Sequence, residues 1–171
     1  MKSFTVKIRP AIFGIIIICF FLPFLVVSCQ GQKIVEITGF QLVTGSEIKQ
    51  PDMSDKLKSI GLSQEKKEEK IKPEPFAILA FIFAFIGLGI SFLKGQKSFI
   101  ASFITGLAGA ISLLLLKAKL DNEILKQGEG ILQLEYTKGF WLTFLLFLLA
   151  AGWNIFLFFQ SKKQNHNAEF M

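Results

Sequence analysis

The chain holds 171 residues, 51% of them hydrophobic, with 20 Phe and a formal charge of +6. Four runs without a charged residue, 11–28, 76–93, 98–116 and 140–159, take up 75 residues. The other 96, mostly loop and tail, are too few to cover four all-round apolar helices in water, which excludes a soluble globular protein. Each run is 18 to 20 residues long, close to what a helix needs to cross a hydrocarbon core of about 30 Å. The predicted fold is membrane all-α: a four-transmembrane-helix bundle forming a single membrane domain over 1–171.

Met1–Pro10 is a basic lead-in with Lys2, Lys7 and Arg9. The first span, 11–28, contains Pro23, which frees a backbone carbonyl and is expected to kink the helix, with a gating hinge as the alternative. Cys19 reads as a small apolar packing residue. The span closes on Val26-Val27-Ser28-Cys29. That ending is like a bacterial lipobox, in which Cys29 is lipidated after the residues before it are cut away. The apolar stretch of 18 residues exceeds the roughly 7 to 15 of a signal peptide's apolar region. An uncleaved first helix is therefore the preferred reading.

Loop 29–75 opens with Gln30–Gly45, rich in Ile, Val, Thr and Phe and punctuated by Gly31, Gly39 and Gly45. It is predicted to form one or two short strands. Ser46–Glu74 is polar. Its Glu65–Glu69 and Lys66–Lys70 spacings would repel in a helix, so it reads as a solvated linker with a helical turn near Ser54–Leu62. The second span, 76–93, sets Ala80, Ala84 and Gly87 on one face. The link Lys94–Lys97 folds it back against the third span, 98–116, which carries Ser102, Gly106, Gly109 and Ala110. Such stripes of small residues let helices approach closely. They are predicted to be packing faces within the bundle, a homo-oligomer or partner subunit being the alternative. In loop 117–139, Leu132, Leu134 and Tyr136 alternate with Gln133 and Glu135, a strand pattern. It is expected to pair with the strands of the first loop in a small extracytoplasmic β-sheet from loops 1 and 3, since short strands need partners. The fourth span, 140–159, places Trp141 at an interface and contains Asn154, expected to bond to a neighbouring helix. A tail, 160–171, follows.

The charge is distributed unevenly. Met1–Pro10, Lys94–Lys97 and the tail carry seven bases and one acid, whereas loops 29–75 and 117–139 carry twelve of each. The whole net charge lies on one side, at the higher density of Lys and Arg, which places both termini in the cytoplasm of a cell (inner) membrane. Lys117 and Lys119, directly after the third span, oppose this assignment. A basic inner face suits anionic headgroups and gives no reason to invoke nucleic acid.

Intramembrane transport chemistry generally uses Asp, Glu, His, Lys or Arg, and the four runs contain none. The single His, His166, lies in the tail, so neither a multi-His metal site nor a His-based triad is available. The expectation is a protein that is not an enzyme and has no cofactor, metal or catalytic residues. Its partners are the lipid bilayer and another protein or a second copy. An accessory or scaffold role with the outer sheet as recognition surface is the first reading. The alternatives are a small channel or lipid/solute-handling protein, and a lipoprotein cleaved before Cys29.

The segments L-P-F-L-V-V-S-C-Q-G-Q at 22–32, G-F-Q-L-V-T-G at 39–45 and G-F-W-L at 139–142 resemble small uncharacterised bacterial four-helix membrane proteins. The layout is similar to that of claudins, with four helices and a sheet from both outer loops. The claudin signature of Trp and paired Cys is not present, so the resemblance implies no junction-forming role.

Overall fold

The computed structural model describes residues 2–29, 32–45, 72–93, 95–127 and 132–168. The elements are helix α1 (Lys2–Cys19), strands β1 (Pro23–Cys29) and β2 (Gln32–Thr38), helix α2 (Gly39–Thr44), helices α3 (Pro75–Phe92) and α4 (Gln96–Gln127), strand β3 (Leu132–Tyr136) and helix α5 (Lys138–Ala168). Linker residues 46–71, on which the helical turn expected near Ser54–Leu62 falls, and the last tail residues lie outside the described residues. Three helical segments are long and apolar enough to cross a membrane: Pro75–Phe92, Lys97–Glu123 and Lys138–Lys162. Large apolar side chains such as Ile18, Leu79, Phe85, Ile104, Leu145 and Phe159 face outward from the helices. An exposed apolar surface of this extent would not persist in water. The chain is thus a multi-pass membrane protein.

The first apolar run differs from the expected single helix over 11–28. The helix begins earlier, at Lys2, runs through Pro10, and stops at Cys19. Its apolar part, Ile8–Cys19 with Arg9 near its start, is shorter than a span. Phe20, Phe21 and Leu22 close a turn in which their amides donate to the carbonyls of Ile17, Ile18 and Cys19. Pro23 then opens β1. Pro23 is not a kink inside a helix: it has no amide to continue one, it biases Leu22 toward extended backbone, and it is tolerated as the first residue of a strand. The β-branched pair Val26-Val27 that follows also favours a strand.

The strands form one antiparallel sheet in the order β2-β1-β3. The two outer-loop strands therefore do not pair with each other; each pairs with β1, which came from the run read as helix. Leu25 lies between Ile37 and Tyr136, and Val27 between Val35 and Leu134. Leu25, Ile37, Leu134 and Tyr136 pack against the helix core. On the opposite face Val26 lies between Glu36 and Glu135, both exposed. Thr38 ends β2 and caps α2: its hydroxyl accepts from the Gln41 amide, while Gln41 Oε1 accepts from the Thr38 amide. Such a reciprocal box stabilises a helix start by about 1 kcal/mol. G-F-Q-L-V-T is therefore helical, where the strand reading had it extended.

Helix α1 packs against α3 and α5, and α4 packs against the same two helices. Phe13, Ile16, Phe20, Phe24, Phe140 and Phe147 fill the interior. The ring of Phe13 occupies the space where a Cβ at Gly87 would lie, and the ring of Phe147 does the same at Gly109. Gly106 brings α4 close to α5, with its Cβ direction 3.1 Å from the Ala151 amide nitrogen. Ala80, Ala84 and Ala110 are buried.

Candidate functional site

The buried stripe of α1 runs Ile12, Phe13, Ile16 and on to Phe20. Arg9 lies one turn before Phe13 on that stripe, so the helix aims the chain's single arginine at its neighbours. Arg9 is 2% exposed. Its Nε donates to Asn154 Oδ1 of α5 at 2.9 Å. Its Nη2 donates to Ser98 Oγ at 2.9 Å, Ser102 Oγ at 3.0 Å and the Ser98 carbonyl at 3.2 Å, all on α4. The Phe99 ring lies under the guanidinium, 4.5 Å from centroid to Cζ. One residue of α1 thereby bridges α4 and α5.

The acceptors are themselves held. Ser98 Oγ, while accepting from Arg9, donates to the Ile90 carbonyl at 2.8 Å, in the last turn of α3. That helix end carries the negative pole of the α3 dipole, which favours a nearby cation. Asn154 Nδ2 donates to the Ala150 carbonyl at 2.7 Å, fixing which way the amide points. Among the described residues no carboxylate forms an ion pair with Arg9. A permanent cation is thus stabilised by neutral dipoles and one aromatic face. Burying it costs several kcal/mol, which charge-assisted hydrogen bonds at about 1.5–3 kcal/mol each offset. Arginine stays protonated throughout the accessible pH range, so it serves here as a fixed positive charge and a clamp rather than a proton carrier.

A second polar cluster fastens the sheet to the opposite end of the helices. The Tyr136 hydroxyl lies 2.6 Å from Asp121 Oδ1 and 3.1 Å from the Lys117 carbonyl. Lys117 pairs with Asp121 at 2.6 Å and sits over the Tyr136 ring, 4.7 Å from its centroid. Burial and the neighbouring Asp121 carboxylate hold the Tyr136 hydroxyl far above its ordinary pKa. Lys119 pairs with Glu74 at 2.7 Å, joining α4 to the start of α3. Thr137 ties the α5 start back to β1, its amide donating to the Phe24 carbonyl at 3.0 Å and its hydroxyl to that of Pro23.

Of the residues singled out in the sequence, Ser102 and Asn154 meet, and they do so through Arg9. Gly106 and Gly109 lie on the α4 face against α5. Gly87 lies on the α3 face against α1, with Ala84 and Ala80 one and two turns back along the helix. Pro23 starts β1, and Cys29 ends it between Gln32 and Leu132. Sequence reasoning missed Arg9 by grouping it with Lys2 and Lys7 as a terminal charge. Its spacing of four and seven residues from Phe13 and Ile16 was the available signal. Compared with known proteins, the chain matches no protein-family model and no curated protein.

Proposed function

We propose that the chain is a non-enzymatic, four-pass inner-membrane protein with both termini cytoplasmic, serving as an accessory or scaffold subunit whose outer sheet recognises a protein partner. The carrying observation is the way the sheet is mounted. Its central strand follows α1 after a three-residue turn, and β3 is held to α4 through Tyr136 and Asp121. Glu36, Gln133 and Glu135 are thereby presented on a rigid polar face. Rigid presentation lowers the ordering cost of binding.

The fourth crossing is made by the apolar part of α1 and the apolar start of β1 together. Ile8–Cys19 rises about 18 Å, and Phe24, Leu25 and Val26 continue its buried course. The concentration of net charge at the end carrying Lys97 and Lys162 supports a cytoplasmic placement of that end. Retention of the first segment is supported by β1 itself. Val26 and Ser28 are 3% and 5% exposed, and both are paired on either side. Cleavage before Cys29 would remove the middle of the sheet and the Arg9 clamp. The resemblance to small bacterial four-helix membrane proteins belongs to the same proposal. Mild detergent extraction followed by co-purification tests the role. A specific partner lost on Glu36→Lys/Glu135→Lys substitution is expected; a monodisperse monomer without a partner would overturn it.

A further inference from the structure

We propose that the end of the molecule around Arg9 binds a phosphate-bearing anion, supplied by the headgroup of an anionic phospholipid. The guanidinium is the one charged side chain buried among the described residues, and the groups that hold it are neutral. The cluster sits where α4 begins: Ser98 is the third residue of that helix, and exposed Lys97 directly precedes it. This is the boundary depth of the hydrocarbon, where headgroup phosphates lie. Seven residues past Asn154 on α5 comes Ser161, about 10 Å nearer the membrane surface and within about 20° of the same helix face. Its hydroxyl is buried and, among the described residues, has no hydrogen-bond partner. Exposed Lys162 follows it.

A buried polar atom without a partner is uncommon and calls for an occupant. Here it lies surfaceward of a buried cation that has no carboxylate partner among the described residues, with exposed Lys162 next to it in the chain and exposed Lys97 at the start of α4, and a phosphate answers all of these together. Its oxygens accept from Ser161, Lys97 and Lys162, and its charge compensates Arg9 through the low-dielectric interior without displacing the guanidinium's own bonds. Basic clusters between helices at a membrane surface take anionic headgroups in this way. The proposal rests on the membrane placement of this helix end but not on which leaflet it faces, so its failure is distinct from a failure of the proposed orientation.

The test uses the full chain in nanodiscs and in detergent. Native mass spectrometry and thermal melting compare phosphatidylglycerol with phosphatidylcholine, with inorganic phosphate alone as a further arm. The wild type is expected to retain phosphatidylglycerol preferentially and to melt higher in it. Lys97→Gln/Lys162→Gln should weaken retention about thirtyfold, from about fivefold per basic residue at a membrane surface. Ser161→Ala should weaken it further while leaving the melt in phosphatidylcholine unchanged. Arg9→Lys should keep the preference and Arg9→Met should lose it. Should Arg9→Met fail to fold, the lysine and serine variants decide. Equal retention of the two lipids would overturn the proposal, as would an undiminished preference in the lysine pair or in Ser161→Ala. Equal stabilisation by inorganic phosphate alone would overturn the lipid as the source.

Discussion

Removing Asn154 and removing Arg9 should have very different consequences. Asn154 is 1% exposed and accepts the only hydrogen bond described for Arg9 Nε. Asn154→Ala leaves that N–H, part of a delocalised cation, without a partner in a site that water does not reach. A hydrogen bond to a charged group contributes about 1.5–3 kcal/mol, and an orphaned charged donor costs at least as much. Interhelical polar contacts in membranes average lower, about 0.6 kcal/mol when neutral. The charge therefore sets the expected loss at about 2–3 kcal/mol. Arg9→Met instead removes the cation with its desolvation penalty and keeps a chain of similar length. Ser98 keeps its bond to the Ile90 carbonyl, and Ser102 can turn its hydroxyl to a carbonyl of its own helix, as Thr105 and Ser112 do. Replacing buried ionic groups by apolar ones is often near neutral, so a change under about 1 kcal/mol is expected. With Met at position 9, Asn154→Ala should cost less than about 1 kcal/mol, giving a coupling of about 2 kcal/mol in the double-mutant cycle. Reversible unfolding in mixed micelles measures each corner. Equal losses for the two single variants, or additivity in the cycle, would refute the clamp.

Gly87→Leu forces Phe13 out of its notch and should destabilise by at least about 1–3 kcal/mol, with α1 losing hydrogen-exchange protection before α4. Thr38→Ala breaks the capping box of α2 and should cost about 1 kcal/mol. Tyr136 keeps its proton in the folded state well above its ordinary range, whereas an unfolded tyrosine ionises near pH 10. Above about pH 10 the unfolded state therefore holds fewer protons, and stability should fall as pH rises. Melting curves between about pH 8 and 11 should show that fall, and Tyr136→Phe should make it shallower. The intact mass should include residues 1–28; a diacylated chain starting at Cys29 would end the case for α1 as a resident helix.

The three long spans were legible because lipid-facing helices need nothing but length and the absence of charge. The sheet was half legible. The alternation Leu134, Glu135, Tyr136 revealed β3, but the central strand was hidden in an apolar run, where hydropathy does not separate helix from strand. Leu22-Pro23 and the β-branched Val26-Val27 were the signals, and reading Pro23 as a kink assumed the helix went on past it. Thr38-x-x-Gln41 was a readable capping box, overlooked because glycines on either side suggested strand turns. Arg9 was assigned by its place in the chain, although its place on the helix stripe is what buries it. The Tyr136–Asp121–Lys117 cluster depends on β3 folding back onto a helix that outruns its apolar run, a tertiary fact with no local pattern.

The central claim, a sheet on the outer side of the membrane mounted on helices whose termini lie in the cytoplasm, is tested most directly by cysteine labelling in intact cells. In a Cys19→Ala/Cys29→Ser background, single cysteines at Glu36, Gln133 and Ser3 are probed with a membrane-impermeant maleimide. The account predicts labelling of the first two in intact cells and of Ser3→Cys only after permeabilisation. Labelling of Ser3→Cys in intact cells, or of Gln133→Cys only after permeabilisation, would contradict it.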